Sequence, residues 1–383
     1  MSLLDTAKFP HPSKNRKSKV KYLQEKTMTT KEKILQTLSS CPDTSISGEK
    51  LAEQCDVSRA AIWKAINSLR SDGYSIEGTT NGGYIFSSSS DVFSYENFQK
   101  EFSKAFPEFK NSYIECHKEI DSTNTHAKRL LTEAGNLRDA FGNLTQAGKK
   151  FHNAVIVAES QSAGRGRLGR TFYSPSKTGI YISMIYAPEN GITEPAKLTA
   201  FSAVAVCRAI KKLYGIQPSI KWINDIFIGG KKVSGILTEG IMNFETARIE
   251  SAIIGIGINI SDNPDALPDD VKKVAGSITG DFASNKDTGF SKTVTRAAFA
   301  AQVAGDVLQI LSEDSAKVIE EYKSLSFLIG KTIKVHPIID NPDSVYEAKA
   351  VDIDDKASLV VELSDGSRKT LSSGEVSIHS SEV

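Results

Sequence analysis

The chain has 383 residues, a formal net charge of +1 and a hydrophobic content of 39%. This near-neutral balance excludes attraction to nucleic acid or membrane through overall charge, so any basic site must be local. The length predicts two or three domains. The four cysteines are widely spaced and form no CxxC pair. That spacing argues against a zinc site and a disulfide framework, and it fits the reduced thiols of a cytoplasmic protein.

The sequence has no run of about 18 apolar residues, which argues against a membrane-spanning helix. Residues 1–27 are rich in Lys, Ser and Pro. They lack the apolar stretch of a secretory signal and are predicted to form a disordered basic tail.

Residues 28–90 read as three short helices followed by a hairpin. Ser58 is the predicted N-cap of the third helix, and Ile62, Ile66 and Leu69 fall at i, i+4 and i+7 as its buried stripe. The stretch "YSIEGTTNGGYIF" then supplies two short β runs around an Asn-Gly-Gly turn. Helices followed by a hairpin in this order predict a winged helix-turn-helix domain.

The opposite face of the third helix is suited to the major groove of DNA, where Arg and Asn read base edges and Lys meets phosphate. The domain holds six Lys or Arg against seven Asp or Glu, so two copies would bind DNA better than one. A winged helix used for protein contact is the alternative. The predicted DNA-binding residues are Ser58, Arg59, Trp63, Lys64, Asn67 and Arg70.

Strand and helix patterns mix over residues 91–326, which predicts one central domain. Residues 135–153, "GNLRDAFGNLTQAGKKFHN", are predicted to be a polar surface loop within it. The last stretch, 327–383, shows about five short β runs typical of a small SH3-like barrel.

A glycine- and arginine-rich loop, "QSAGRGRLGRTFYS" (161–174), lies between two predicted strands. Its glycines let the backbone approach a ligand, and its arginines have the fork geometry that suits carboxylate and phosphate. A phosphate-cradling loop, a nucleic-acid patch and a solvated turn are all consistent with this stretch alone. The residues concerned are Gly164, Arg165, Gly166, Arg167, Gly169 and Arg170.

A second motif, "KWINDIFIGGKKVSG", places Lys221, Asn224 and Asp225 at the end of a strand and Lys232 just past a hairpin. A lysine there can neutralise charge that builds on a phosphate, and Asp225 can hold Mg²⁺ beside it. Taken alone, Lys232 would be an exposed turn lysine.

Two further stretches accompany these motifs. "DSTNTHAKRL" puts Ser122 and Thr123 ahead of a helix, where they can serve as N-caps, as ligand contacts, or as both. "GIGINI" puts Gly255, Gly257 and Asn259 in an apolar strand, where glycine marks a close approach to the backbone, here to a flat ring. A dinucleotide-binding fold is excluded, because the GxG lacks a third glycine and no helix follows it.

In this order, the motifs resemble those of the biotin protein ligases. "GRGRLGR" and "KWIND…KKVSG" are close to the family signatures GRGRxGR and KWPND…KxxG, and the resemblance spans roughly residues 29–380. With a winged helix, the chain is similar to the bifunctional bacterial type that also represses the biotin operon. The resemblance implies an α+β protein with a winged helix-turn-helix, a mixed-sheet catalytic domain related to class II aminoacyl-tRNA synthetases, and an SH3-like C-terminal β-barrel.

The resemblance also implies a two-step reaction. Biotin and ATP, with Mg²⁺ as activator, would give biotinyl-5′-AMP and pyrophosphate, and a lysine of biotin carboxyl carrier protein would then displace AMP. No tightly bound cofactor is expected. The adenylate-bound form would be a homodimer that binds operator DNA in the cytoplasm, with biotinyl-5′-AMP as corepressor.

The family's functional residues map onto matching positions of this chain. Arg167 and Lys232 would be catalytic. The biotin site would comprise Ser122, Thr123, Asn124, Gln161, Gly164, Arg165, Gly166, Arg167, Lys232 and Gly235. The ATP and adenylate site would comprise Arg170, Phe172, Asn224, Asp225 and Asn259, with Asp225 also the Mg²⁺ ligand.

Two positions depart from the family pattern: Ile223 replaces the usual proline, and Phe172 stands where a tryptophan often lies.

A lipoate-type ligase is one alternative to a biotin protein ligase, although such enzymes carry a different glycine-rich motif. A non-catalytic biotin-sensing regulator is another, and loss of Arg167 or Lys232 would have marked it.

Overall fold

The computed structural model describes residues 28–79, 82–87, 90–243, 248–262, 267–280, 294–336 and 345–378. The predicted tail at 1–27 lies outside these ranges. The chain divides between residues 88 and 89 into two compact units. None of the helices in the described ranges is long and apolar enough to cross a membrane.

The first unit is the predicted winged helix-turn-helix. Its elements are α1 (Thr30–Ser40), β1 (Ser45–Ile46), α2 (Gly48–Cys55), α3 (Arg59–Ser71), β2 (Ile76–Thr79) and β3 (Gly83–Phe86), with the strands in the order β1-β3-β2. Ser58 is the N-cap of α3 and accepts a hydrogen bond from the amide of Ala61. Ile62, Ile66 and Leu69 are buried, as their spacing predicted.

The second unit is built on a seven-stranded mixed sheet within the described residues. Its strands are β4 (Ile114–His117), β5 (Ala154–Ala158), β6 (Gly179–Tyr186), β7 (Ser219–Lys221), β8 (Asp225–Ile228), β9 (Lys231–Asn243) and β10 (Arg248–Asn259). Their order across the sheet is β4-β5-β6-β10-β9-β8-β7. The β4–β5 pair is parallel and the other pairs are antiparallel.

Helices cover both faces of this sheet, because alternate residues of its strands point to opposite sides. Val155 and Val157 belong to one core and Ile156 to the other. The helices are α4 (Tyr95–Ala105), α5 (Thr123–Ala134), α6 (Gln146–Phe151), α7 (Pro195–Tyr214), α8 (Asp269–Val274), α9 (Arg296–Ile310) and α10 (Ser315–Leu325). The cores are therefore continuous layers between sheet and helices.

The prediction that residues 135–153 form a surface loop is wrong at both ends of this stretch. Thr145 caps α6 there, and Leu137 and Phe151 are buried in the core beneath α5. These two apolar residues are 14 positions apart in a polar stretch. No repeating helical pattern of apolar residues therefore predicted that they are buried.

The C-terminal part forms a five-stranded antiparallel sheet within the described residues. Its strands are β11 (Thr332–His336), β12 (Tyr346–Ile353), β13 (Leu359–Glu362), β14 (Arg368–Leu371) and β15 (Glu375–Ile378), in the order β14-β13-β12-β11-β15. Its buried residues join the core of the central sheet. The indole of Trp222 donates a 2.9 Å hydrogen bond to the carbonyl of Ala357 across this junction, so the C-terminal sheet and the central sheet pack as one unit.

Candidate active site

A cavity of about 150 Å³ opens among the N-terminus of α5, the arginine loop (161–174), the turn before β8, and the central strands β9 and β10. It brings together most residues that the sequence singled out. Those lining it are Ser122, Thr123, Asn124, Gln161, Arg165, Gly166, Arg167, Arg170, Phe172, Asn224, Asp225, Lys232, Gly235, Gly255 and Gly257.

The N-terminus of α5 is braced against the arginine loop by Gln161. Both the amide and the hydroxyl of Thr123 lie within hydrogen-bond distance of Gln161 Oε1, at 2.8 and 3.1 Å. Gln161 Nε2 donates to Ser174 Oγ at 2.8 Å. Ser122 is the N-cap of α5, and Thr123 is its first residue. Capping and lining the cavity therefore coexist at this helix end.

Glu239 of β9, which the sequence did not single out, organises the side of the cavity near Arg165. Its carboxylate accepts hydrogen bonds from Asn124 Nδ2 at 3.0 Å and Lys128 Nζ at 2.7 Å. It also lies 3.6 Å from Arg165 Nη1. Burial alone would raise the pKa of Glu239, but the bonds from Lys128 and Asn124 outweigh burial and lower it. Apart from the two lysines at its start, β9 has no other charged residue, and this isolated charge was the available sequence signal.

Arg167 and Arg170 tie the loop to two other parts of the second unit. Arg167 Nη1 donates to Asn224 Oδ1 at 2.9 Å, and its Nη2 donates to the carbonyl of Gly374 at 3.2 Å. Arg170 Nη2 contacts Glu375 Oε2 at 2.6 Å. The sequence did not predict the two partners from the C-terminal sheet, because they lie more than 200 residues further along the chain.

Gly164 has a structural reason to be glycine. A Cβ there would lie 2.2 Å from the carbonyl oxygen of Phe172. Gly164 is not among the residues that line the cavity. Its role is to let the two sides of the loop pack closely together.

Asp225 and Lys232, both singled out by the sequence, form an ion pair in the cavity. Lys232 Nζ lies 2.7 Å from Asp225 Oδ1, with a geometry that is not that of an aligned hydrogen bond. Nearby, burial lowers the pKa of Lys221, the carboxylates of Asp225 and Glu375 oppose the shift, and the positive charges of Lys232 and Arg170 add to it. Three cationic side chains thus share this corner with two carboxylates.

The peptide bond between Trp222 and Ile223 is cis. The carbonyl of Ile223, the residue that replaces the family's proline, accepts a 3.0 Å hydrogen bond from the buried hydroxyl of Tyr322. Ile223 itself is buried. The turn that presents Asn224 and Asp225 is therefore anchored in the core.

The ring of Phe172 lies against the glycines of the central strands. A Cβ on Gly257 would come within 2.3 Å of this ring, and one on Gly235 within 3.3 Å. The flat ring predicted next to the strand glycines is, in this structure, a side chain of the protein itself.

Asn259 does not line this cavity. Its amide donates a 3.1 Å hydrogen bond to the carbonyl of Gly276, and it lines a second cavity of about 250 Å³. Tyr173 and Lys231 line that second cavity, next in sequence to Phe172 and Lys232 of the first.

In the first unit, Arg59, Trp63 and Lys64 are exposed on α3, with 61% of Trp63 accessible. Arg70 is exposed as well, but its guanidinium is bound within its own domain. Its Nε donates to the carbonyl of Ile76 at 2.8 Å and its Nη1 to Asn67 Oδ1 at 3.3 Å. Of the predicted DNA-facing residues, Ser58, Asn67 and Arg70 thus have structural partners.

A cavity that gathers guanidinium, ammonium, amide and carboxylate groups is suited to joining an anionic acid to a nucleotide phosphate. Together with the mixed sheet and the winged helix, it defines a nucleotide-dependent ligase with a DNA-binding module.

Comparison with known proteins agrees with this class. The Biotin/lipoate A/B protein ligase family matches residues 138–259, an HTH domain matches 30–85, and the Biotin protein ligase C terminal domain matches 329–378. The chain is 30% identical to the bifunctional ligase/repressor BirA of Bacillus spizizenii over 344 residues, 90% of this chain and 97% of that protein. With BirA of Escherichia coli the identity is 25% over 339 residues, 88% of this chain and 94% of that protein.

A solved biotin protein ligase from Aquifex aeolicus, in complex with biotin and ATP, has the same fold. It matches with a TM-score of 0.53 and 24% identity, over 70% of this chain and 98% of that one. The chain belongs to the family of bifunctional biotin protein ligase/repressors. The resemblance and the fold class that the sequence predicted are both confirmed.

Proposed function

We propose that this protein is an ATP-dependent biotin protein ligase that also represses biotin biosynthesis genes. The observation that carries the proposal is the meeting of Arg167, Asn224, Asp225 and Lys232 in one cavity beside the polar end of α5. Family membership supports the same reading, since the relatives carry the names of ligase/repressors and biotin ligases.

In the first step, a carboxylate oxygen of biotin attacks the α-phosphorus of ATP and pyrophosphate leaves. Arg167 and Lys232 would stabilise the negative charge that develops, because their cations are already fixed there. In the second step, the ε-amine of a carrier-protein lysine attacks the acyl carbon of biotinyl-5′-AMP, and AMP leaves. The carrier would be biotin carboxyl carrier protein.

The biotin ureido ring has N–H donors and a C=O acceptor, which the hydroxyls of Ser122 and Thr123 and the amide of Gln161 can match. Asn124 and Gly235 would line the same side. Arg165 and the backbone at Gly164 and Gly166 would hold the loop over the carboxylate and α-phosphate.

The nucleotide would extend from the first cavity, past Phe172, toward Asn259 in the second. Neighbouring residues of both the loop and β9 line the two cavities, which supports this path. Arg170 and Asn224 would face the phosphates.

Asp225 is a suitable Mg²⁺ ligand, since Mg²⁺ is usually held by one or two carboxylates together with substrate phosphates and water. One of its oxygens is paired with Lys232, so Asp225 would contribute a single oxygen. The bound ion would neutralise charge on the phosphates.

For repression, α3 would enter the major groove through Arg59, Trp63, Lys64, Asn67 and Arg70, with Ser58 at its start. The winged helix is slightly acidic overall, so a homodimer on paired half-sites would supply the contacts that one copy lacks. Biotinyl-5′-AMP would be the corepressor, and the protein would act in the cytoplasm.

The test is to incubate the protein with Mg-ATP and either biotin or lipoate, and to measure the acyl-adenylate by mass spectrometry. Biotinyl-5′-AMP alone, followed by biotin transfer to carrier protein, is the expected result. Lipoyl-adenylate would favour a lipoate-type ligase. Tight biotin binding without any adenylate would indicate a sensor that has lost its chemistry, and a DNase footprint unchanged by biotin and ATP would refute repression.

A further inference from the structure

A cluster of metal-ligating side chains lies on the edge strand β4, outside the cavity described above. Glu115 and His117 are two residues apart on this strand, so both point to the same face. That face looks toward α5, whose first turn carries His126. Cys116, between them, packs into the core on the opposite face.

The three side chains converge on one point. His117 Nε2 lies 2.8 Å and His126 Nε2 2.6 Å from the same oxygen, Glu115 Oε2. The donor atoms of all three lie within 4.8 Å of one another. Each side chain is between 19% and 28% exposed, so an ion can enter from solvent.

From this geometry we infer that Glu115, His117 and His126 form a binding site for a divalent transition-metal ion of the zinc class. Two imidazole nitrogens and a carboxylate oxygen are ligands that Zn²⁺ takes, and three protein ligands leave the fourth position open. Metal–ligand bonds of about 2.0–2.1 Å place tetrahedral donor atoms about 3.3 Å apart. The separation from Glu115 Oε2 therefore needs to open by about 0.5 Å for His117 and about 0.7 Å for His126.

The surroundings of the carboxylate also suit a ligand. The hydroxyl of Tyr113 donates a hydrogen bond to Glu115 Oε1, which leaves Oε2 for the ion. Such outer hydrogen bonds orient metal ligands and tune their affinity. Cysteine spacing could not indicate this site, because it contains no cysteine.

Arg129 opposes the metal-bound state. Its Nη2 lies 3.4 Å from His126 Nδ1, and a guanidinium can only donate. When a metal occupies Nε2, Nδ1 must carry the ring's proton and would then face a donor. Arg129 is 46% exposed and is bound to Asp121, so it can turn away at a cost. Removing its charge should strengthen metal binding.

The test is a Zn²⁺ titration of the full chain in competition with a chromophoric chelator, without Mg²⁺, biotin or ATP. A Cys41→Ser background removes an exposed thiol. We expect one Zn²⁺ per chain, weakened at least about tenfold in His117→Ala and His126→Ala. Arg129→Gln should bind more tightly. Co²⁺ in place of Zn²⁺ should give visible absorption bands that the histidine variants lose.

Two controls keep the result interpretable. His336→Gln removes a histidine that contacts Ser377 in the C-terminal sheet, and it should leave Zn²⁺ affinity unchanged. Glu115→Gln preserves the shape of the cluster if an alanine variant fails to fold, and it should weaken binding at least about tenfold. Stoichiometric Zn²⁺ binding that survives loss of either histidine, or no stoichiometric binding by the parent, would overturn the inference.

Discussion

Phe172 and Gly257, 85 positions apart in sequence, are in direct contact: the aromatic ring occupies the space where a side chain at residue 257 would begin. The ring belongs to the arginine loop and the glycine to the central strand β10. The position of the loop over the sheet therefore depends on the absence of a side chain at Gly257.

Gly257→Ala should displace the Phe172 ring, because its Cβ would lie 2.3 Å from a ring carbon. We expect biotinyl-5′-AMP formation to fall at least about tenfold, with about 1–3 kcal/mol lost from the free energy of unfolding. Mass spectrometry and denaturant unfolding measure the two effects. The matched control is Gly240→Ala, whose Cβ would be 3.2 Å from the side chain of Ile249. Equal activity in both variants would contradict the role of the contact.

Arg167→Gly should release the adenylate early, since it removes the bonds from the loop to Asn224 and Gly374. Promiscuous biotinylation of lysines on a bystander protein should then rise, as detected by streptavidin blotting. Retention of the adenylate at the parental level, measured by rapid filtration, would refute a role for Arg167 in loop closure.

Lys232→Ala should slow adenylate formation at least about 100-fold, the usual loss when one fixed charge is removed from a developing oxyanion. The variant should fold normally, because an ion pair whose lysine is one-third exposed adds little stability. Lys197→Ala is the control: its ammonium is paired with Glu194, and neither residue lines either cavity. If the two variants have the same rate, Lys232 is not catalytic.

On α3, Lys64→Ala and Arg70→Ala should differ in kind. Lys64 is exposed, so its loss should reduce by about one the slope of the logarithm of the DNA-binding constant against the logarithm of salt concentration. The unfolding midpoint should stay unchanged. Arg70 holds the hairpin through Ile76, so its loss should also lower the unfolding midpoint. Fluorescence anisotropy at several salt concentrations and thermal unfolding separate the two effects. An unaltered midpoint in Arg70→Ala would contradict the structural part.

Lys221 gives a pH dependence of stability with a definite sign. Burial lowers its pKa in the folded protein, so between that value and the ordinary value of about 10.4 the unfolded chain binds more protons. Stability contributed at this position should therefore rise as pH increases through that window. In Lys221→Met, the free energy of unfolding measured in urea should change less with pH between neutral and alkaline conditions than in the parent. A profile parallel to that of the parent would show that burial does not set this pKa.

Local signals in the sequence were sufficient to predict the winged helix and to single out most of the residues that line the cavity. The stripe of Ile62, Ile66 and Leu69 fixes a helix face, and short motifs such as GRGRLGR carry their chemistry within a few residues. Such features depend on residues that are close in the chain, so a sequence pattern can predict them.

Partners that meet only through tertiary packing escaped prediction. Glu239 and Glu375 reach the cavity from distant strands, and Leu137 and Phe151 enter the core from a stretch with no regular period. The hydrogen bond from the Asn259 amide to the carbonyl of Gly276, 17 positions further along, is another tertiary contact that no sequence pattern indicated.

The bonds from Arg167 to Gly374 and from Arg170 to Glu375 have a consequence for the life of the chain. The arginine loop leaves the ribosome more than 200 residues before the strand that secures it. An incomplete chain, whether still being translated or cut short by a premature stop, lacks these anchors. Fixing the arginine loop by these two bonds is thus deferred until synthesis has reached β15.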